Sequence, residues 1–168
     1  IEELRRSPIA IDTDAANEQH YEVATDFYLA SLGKRLKYSC AYYPDSNTTL
    51  DQAEEEMLAL YSKRAELDND QVILELGCGW GSLTLWMAEN YPRSKITAVS
   101  NSSSQKSYID KLCRKAGFSN VTVITADVNF LELESAQFDR VISIEMFEHM
   151  RNYRQLFERI SDWLTSEG

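Results

Sequence analysis

The chain has 168 residues, and its 17 Lys plus Arg against 27 Asp plus Glu give a formal net charge of −10. This length predicts one domain, and 43% hydrophobic with 26% charged residues is ordinary for a globular protein rather than a disordered one. The acidic balance argues against nucleic acid as the main partner, because binding a polyanion depends on Lys and Arg, whereas a small cationic ligand would be attracted.

The first third of the chain is predicted to be helical. Residues 1–16 are polar and weakly periodic, which predicts a loosely ordered lead-in. Aromatic and aliphatic side chains within 17–33, such as Tyr21 and Val23, favour one or two short helices. An aromatic-rich stretch, 36–44, ends in a turn. A helix should follow from Thr49, which has capping-box spacing with Gln52. Its residues at helical spacing are Leu50, Ala53, Met57, Leu60, Tyr61 and Arg64.

The rest of the chain alternates between strands and helices. Short apolar runs predict strands at 71–76, 95–100, 121–126 and 138–144. Helices are predicted at 82–90, at 102–115 with Gly117 ending it, and at 153–165. The last helix carries Leu156, Phe157, Ile160, Trp163 and Leu164 on one face. This alternation predicts an α/β fold, a parallel sheet covered by helices on both faces, with a binding crevice at the carboxyl ends of the strands.

A glycine-rich turn follows the first strand at residues 77–81, and its sequence is Gly-Cys-Gly-Trp-Gly. Glycines at alternate positions let the backbone turn sharply and approach a ligand. Ser82 stands where a dinucleotide fingerprint needs its third glycine, and no Walker lysine is present. Glu75 at the end of the strand is expected to point its carboxylate into the crevice, which favours a ligand-binding turn. The alternative is a glycine-rich turn that binds no ligand.

Three segments in order, Tyr38–Tyr43, Gly77–Gly81 and Ser143–Met150, resemble the class I S-adenosylmethionine-dependent methyltransferases. More narrowly they resemble the branch that contains plant coclaurine-type N-methyltransferases and cyclopropane fatty acid synthases, over residues 17–168. The resemblance implies a Rossmann-like, mostly parallel sheet in the order 3-2-1-4-5-7-6. Because four strands are found here, we expect a fold truncated after the fourth strand and its helix.

The expected organisation is therefore a helical lead-in and cofactor lid, 1–66, followed by a partial S-adenosylmethionine-binding α/β core, 67–168. Aromatic residues of the lead-in suggest a lid or a cation cage, with core packing as the alternative: Tyr21, Phe27, Tyr28, Tyr42 and Tyr43. The fourth strand would be left as an unpaired apolar edge, which favours pairing into a homodimer or aggregation.

The resemblance also implies cofactor contacts. Strand two ends without the usual ribose-binding carboxylate, and Ser100 and Gln105 would take over, although Gln105 also has capping-box spacing. Asp127 would accept the adenine amino group, with a turn aspartate as the alternative. Tyr38 and Ser39 match positions at the methionine carboxylate, with core packing and a turn as alternatives. The whole expected cofactor set is Tyr38, Ser39, Glu75, Gly77, Gly79, Gly81, Ser100, Asn101, Gln105, Asp127, Val128 and Ile144.

Two carboxylates and an imidazole, Glu145, Glu148 and His149, follow the fourth strand and provide acid–base capacity. In the N-methyltransferases that the motif resembles, the glutamate matching Glu148 orients the amine and the histidine is the base. Glu145 would hold the cation. In cyclopropane synthases the positions matching Cys40, Ile144 and Glu148 help hold a bicarbonate, and glycine usually stands at the position of Glu145. Cys40 fits both branches, and a small buried thiol is the alternative.

We therefore expect an S-adenosylmethionine-dependent methyltransferase that N-methylates a small amine. The alternatives are methyl transfer to an unsaturated lipid acyl chain, which would bring in bicarbonate, and an inactive cofactor-binding fragment. Three scattered cysteines without C-x-x-C spacing indicate reduced thiols and no metal site. With no apolar stretch near the roughly 20 residues that span a bilayer, we expect a cytoplasmic protein without a transmembrane segment.

Overall fold

A parallel sheet forms the centre of the fold in the computed structural model, which describes residues 1–11 and 25–168. Within these residues its strands are β1 Val72–Leu76, β2 Lys95–Ser100, β3 Val121–Thr125 and β4 Arg140–Ser143. Their order is β3-β2-β1-β4, and all three pairings are parallel. Leu74 of β1 lies opposite both Thr97 and Val141. The predicted parallel sheet is confirmed, with the fourth strand at its edge.

Helices cover both faces of this sheet. They are α1 Glu2–Arg6, α2 Thr25–Ser31, α3 Leu50–Arg64, α4 Ser82–Asn90, α5 Ser103–Ala116 and α6 Tyr153–Trp163. Side chains alternate along a strand, so Ile73 packs with Leu58 of α3 and Met87 of α4 on one face. Leu74 packs with Trp163 of α6 on the other face. The core thus lies on both sides of β1.

Helix α3 begins as predicted, because Thr49 and Gln52 form a capping box. Its buried side differs from the predicted one: Ala53, Glu54, Leu58 and Ser62 are buried, whereas Leu50 is 43% exposed. The reason is Glu54, whose carboxylate accepts the backbone N–H groups of residues 33, 35 and 37 at 3.1, 2.8 and 3.4 Å. A buried carboxylate therefore joins α3 to the loop before it.

The lead-in is more ordered over residues 1–11 than its polar sequence predicts. Ile9 and Ala10 are buried, and Ile9 O accepts the backbone N–H of Arg151 at 2.7 Å. The Asn152 amide donates to the carbonyls of residues 5 and 7. Two apolar residues and one buried amide thus attach this segment to the start of α6. The expectations for Tyr21 and the other residues of 12–24 lie outside the described residues.

Two predicted boundaries at the end of the chain are corrected. Strand β4 begins at Arg140 rather than at residue 138, and α6 ends at Trp163 rather than at residue 165. Leu164 is extended and forms a parallel bridge with Phe138, which removes both residues from the predicted elements. Phe157, predicted on the buried face of α6, is 51% exposed and lies edge-on to the ring of Phe147.

Candidate active site

A cavity of about 620 Å³ opens at the carboxyl ends of all four strands. Leu76, Ser100, Ala126 and Ile144 line it, each at or just after the end of a different strand. Residues from the first third of the chain form another part of the wall: Ala10, Ile11, Leu36, Lys37, Tyr38, Ser39, Leu58 and Tyr61. The crevice is therefore where the alternation of strands and helices places it.

The glycine turn contributes to the cavity through Gly77 and Gly79 but not through Gly81. Gly79 has φ +52°, and a Cβ built on it would meet nothing within 4 Å, so the backbone is open to a ligand. At Gly81, with φ +83°, a Cβ would lie 2.7 Å from Ile109 of α5. Gly81 therefore allows α4 and α5 to pack, and its predicted cofactor contact lies outside the lining.

Glu75 lines the cavity although it is 3% exposed. The Thr84 hydroxyl donates to its Oε2 at 2.6 Å. Burial raises the pKa of Glu75 to about 8, and the hydrogen bond from Thr84 opposes this shift. The side chain is therefore mainly protonated near pH 7 in the absence of a cation, and a cation beside it would favour the carboxylate.

Ser100 and Gln105 form one side of the cavity at the end of β2. The Ser100 hydroxyl donates to Gln105 Oε1 at 2.6 Å, and the Ser102 hydroxyl accepts the Gln105 backbone N–H. The helix cap thus uses the backbone of Gln105, and its side chain turns to Ser100 instead of back to the cap. Gln105 Nε2 is buried without a hydrogen-bond partner in the structure as described.

Asp127 and Val128 follow β3 and line the cavity together with Asn101. Asp127 Oδ1 accepts the backbone N–H of Asn129 at 2.7 Å, so Asp127 forms the turn expected as the alternative to an adenine contact. Asn129 in turn donates to Ala10 O and accepts from Ala10 N, both at 3.0 Å. The Asp127 turn therefore connects the cavity to the N-terminal segment.

Glu145 lies just beyond β4 with φ +51°, a left-handed conformation that is unfavourable for a residue with a Cβ. Its Oε1 accepts the backbone N–H of Cys40 at 3.0 Å, across 105 positions of sequence. The Cys40 thiol is exposed, not buried, and its Sγ is 3.7 Å from the Tyr61 hydroxyl. Cys40 is outside the cavity lining, and its backbone rather than its thiol contacts the site.

Glu148 and His149 belong to a 3₁₀ turn, Phe147–His149, and both line the cavity with exposed side chains. The Tyr153 hydroxyl donates to Phe147 O at 2.8 Å and holds this turn against α6. Together with Glu145, three groups able to carry charge or a proton therefore face the end of the cavity beside β4.

Tyr38 and Ser39, the residues expected at the methionine carboxylate, line the cavity, and so does Lys37 beside them. Lys37 is 4% exposed, and its Nζ donates to the Ser39 hydroxyl and to the Tyr61 hydroxyl. No sequence pattern singles out Lys37, because a lysine normally lies at the surface. For Tyr61 the sequence predicts only a place in the helical repeat of α3.

Three cavity-lining residues hold buried polar atoms that have no hydrogen-bond partner among the described residues: Trp80 Nε1, Ser82 Oγ and Gln105 Nε2. Buried polar groups in native proteins are nearly always paired. A polar ligand in the cavity would supply partners, and the open backbone at Gly79 leaves room for one. These residues therefore fit a polar ligand such as a nucleoside.

Of the five aromatic residues proposed for a lid or a cage, the four that the structure describes, Phe27, Tyr28, Tyr42 and Tyr43, take no part in this lining. Tyr28 is 2% exposed and packs against Trp80, with ring centroids 5.1 Å apart. Phe27, Tyr42 and Tyr43 are exposed and lie outside the cavity wall. Core packing therefore describes Tyr28 better than a cage does. In the part of the chain described, no helix is long and apolar enough to cross a membrane, and no cluster of three potential metal ligands occurs.

The sheet order, the glycine turn and the crevice define a Rossmann-like methyltransferase fold, and solved structures agree. A coclaurine N-methyltransferase bound to N-methylheliamine and SAH superimposes with a TM-score of 0.95 at 42% identity, covering 99% of this chain and 48% of that one. A mycolic acid cyclopropane synthase bound to SAH and CTAB superimposes with a TM-score of 0.81 at 26% identity, covering 90% of this chain and 53% of that one. The model of the mycolic acid cyclopropane synthetase family matches residues 10–168, and the chain belongs to this family.

Curated relatives represent both branches of the resemblance. An (S)-coclaurine N-methyltransferase of Thalictrum flavum subsp. glaucum is 42% identical over 165 residues, which are 98% of this chain and 45% of the relative. A cyclopropane-fatty-acyl-phospholipid synthase of Escherichia coli K12 is 32% identical over 153 residues, 90% of this chain and 38% of the relative. The chain spans less than half the length of these curated relatives.

Proposed function

We propose that this chain forms the cofactor-binding part and the catalytic motif of an S-adenosylmethionine-dependent methyltransferase that acts on a small amine. The observation that carries the proposal is one cavity lined by the glycine turn, by the Ser100–Gln105 pair and by Glu148 and His149. The two SAH-bound neighbours support the choice of cofactor. In this proposal residues 1–66 act as a lid, because eight of them line the cavity.

The proposed role of each residue depends on its position along the sheet. Gln105 and Asp127 would hold the adenosine half at the β2–β3 side, and Glu75 would face the amino-acid end. When bound, the cofactor supplies a methyl group on a sulfonium centre. An alkylammonium with a pKa near 10 has no lone pair, so a base must remove a proton before the amine can attack. His149 would take that proton while Glu148 orients the amine and Glu145 adds negative charge.

The position of Glu145 favours an amine over a lipid alkene. Its carboxylate occupies the Cys40 backbone N–H, and Cys40 is a position that the resemblance gives to a bicarbonate ligand in the cyclopropane synthases. A fixed carboxylate here adds negative charge beside Glu148 and His149 and attracts an ammonium substrate. Methyl transfer to an unsaturated acyl chain stays the competing function, supported by the family model and by the Escherichia coli relative.

The test supplies the intact protein with S-adenosylmethionine and two substrates side by side, a panel of small secondary amines and an unsaturated phospholipid. Mass spectrometry should detect a methyl added to an amine. Methylene addition to the phospholipid alone would replace the proposal by cyclopropanation, and no product together with no calorimetric binding of S-adenosylmethionine would remove both.

The catalytic role of His149 is tested with His149→Ala and a matched control. His149→Ala should lower turnover by about 10²-fold or more while the affinity for S-adenosylhomocysteine stays within a few-fold. Arg151→Ala removes an exposed cation two residues away and should leave turnover unchanged. Equal turnover in both variants would take His149 out of the mechanism.

A further inference from the structure

Lys37 is a buried cation in the wall of the cavity. Among the described residues it is the one lysine or arginine that lines this space. Its ammonium lies 4.7 Å from the centroid of the Tyr61 ring, and its Nζ is 3.2 Å from the Tyr61 hydroxyl. Glu54 accepts the Lys37 backbone N–H, so the main chain at this position is fixed as well.

No carboxylate lies within 4.0 Å of Lys37 Nζ in the parts of the chain that the structure describes. Both of its hydrogen-bond partners are hydroxyl groups, which bring no negative charge. A buried charge without a counter-ion is unfavourable, and burial accordingly lowers the pKa of Lys37, while the Cys40 thiol, Glu145 and Glu54 act in the opposite direction. An ammonium has three N–H donors, and two are used here. An anion in the cavity would complete the site.

The position of Lys37 indicates which anion this is. The hydrogen bond from Cys40 to Glu145 attaches the Lys37 loop to the β4 side of the crevice. The proposed adenosine contacts, Gln105 and Asp127, belong to the opposite side, at β2 and β3. Glu75 at the end of β1 lies between them. A ligand with adenosine at one end and an amino acid at the other therefore brings its ammonium and its carboxylate to Glu75 and Lys37.

The resemblance implies that Ser39 lies at the methionine carboxylate, and we propose that Lys37 Nζ binds the α-carboxylate of S-adenosylmethionine beside it. This makes Lys37 a determinant of specificity for adenosyl ligands that have an intact amino-acid end. The inference rests on the proposed function, since it assigns the carboxylate of the same cofactor. A lysine ammonium can only donate hydrogen bonds, so the Ser39 hydroxyl accepts one from Lys37. The hydroxyl proton of Ser39 is then available to donate to the α-carboxylate.

The experiment pairs two ligands with two protein variants. S-adenosylhomocysteine carries the carboxylate, and decarboxylated S-adenosylhomocysteine lacks that group alone. Lys37→Met removes the ammonium and keeps an unbranched stem against Tyr61. Lys34→Met removes an exposed charge from the same loop and controls for net charge. Dissociation constants of both ligands are measured by calorimetry on the intact wild type and both variants.

We expect Lys37→Met to raise the dissociation constant of S-adenosylhomocysteine by about 10- to 100-fold, as for loss of a hydrogen bond to a charged group. In Lys37→Met the dissociation constant of the decarboxylated ligand should change by less than about 3-fold. Lys34→Met should leave the dissociation constants of both ligands unchanged. An equal loss for both ligands, or no loss for S-adenosylhomocysteine, would overturn the assignment. A wild type that binds neither ligand would refute the proposed function itself, a different result from an unselective variant.

A folding defect in Lys37→Met is distinguished by a second variant. Lys37→Gln keeps a hydrogen-bond donor for Ser39 and Tyr61 but has no charge, and its thermal unfolding is recorded beside the titration. A folded Lys37→Gln that discriminates between the two ligands less than the wild type does supports the assignment. A folded Lys37→Gln with undiminished discrimination overturns it, because the charge would then have no part in selecting the carboxylate.

Discussion

Replacing Glu75 by glutamine should remove most of the pH dependence of stability that the buried carboxyl creates. The pKa of this group is about 8 in the folded chain and 4.5 as its ordinary value. Between these values the folded protein holds one proton more than the unfolded protein, so stability falls as pH rises from 4.5 to 8. Below this window the penalty is absent, and above it the penalty is complete.

The size follows from the shift in pKa. A difference of about 3.5 pH units at about 1.4 kcal/mol each gives a penalty on the order of 5 kcal/mol for ionised Glu75. Glutamine is an uncharged isostere that can still accept from Thr84, so Glu75→Gln avoids this penalty. Relative to the variant, the wild type should lose about 3 kcal/mol between pH 5.5 and pH 8.5.

The assay is urea denaturation of the intact, ligand-free protein at several pH values, for wild type, Glu75→Gln and a control. Glu56→Gln removes an exposed carboxylate from α3, and its curve should run parallel to the wild type. Parallel curves for wild type and Glu75→Gln would show that burial does not raise the pKa of Glu75. A wild type that gains stability as pH rises relative to Glu75→Gln would show the opposite sign.

Four further substitutions test residues in and around the site. Glu54→Ala removes the acceptor of three backbone N–H groups and should cost about 3 kcal/mol in urea denaturation, whereas a cost below 1 kcal/mol would contradict its role as the anchor of the loop. Gly81→Ala should lower the free energy of unfolding by about 2 kcal/mol or more, because its Cβ meets Ile109. Gly79→Ala should lower the free energy of unfolding less and should weaken the binding of S-adenosylhomocysteine. A larger loss of stability in Gly79→Ala than in Gly81→Ala would contradict these separate roles. Glu145→Gly relieves left-handed strain of about 1 kcal/mol, so the melting temperature should stay within a few degrees of the wild type. Turnover of the amine should fall at least 10-fold. Unchanged turnover would mean that the charge of Glu145 has no part in the mechanism.

Local patterns in the sequence were sufficient for most of the elements. The Thr49–Gln52 capping box begins α3, and the left-handed Gly117 ends α5, because caps depend on residues within one turn of the helix. Strand β2 has the predicted limits, since its apolar run is bounded on both sides by polar residues. Residues just after the strands came together at one edge because parallel strands share their carboxyl ends.

Contacts between distant residues decided the rest. Nothing near Lys37 or Glu54 in the sequence indicates burial, and each is buried because α3 and the preceding loop pack together. The different roles of Gly79 and Gly81 depend on where α5 lies, and the hydrogen bond from Cys40 to Glu145 joins residues 105 positions apart. The amino-acid sequence was thus enough to predict most of the elements, the parallel sheet and, through the resemblance, the cofactor. Which charges are buried and paired depends on the tertiary structure, because burial is a property of packing between segments.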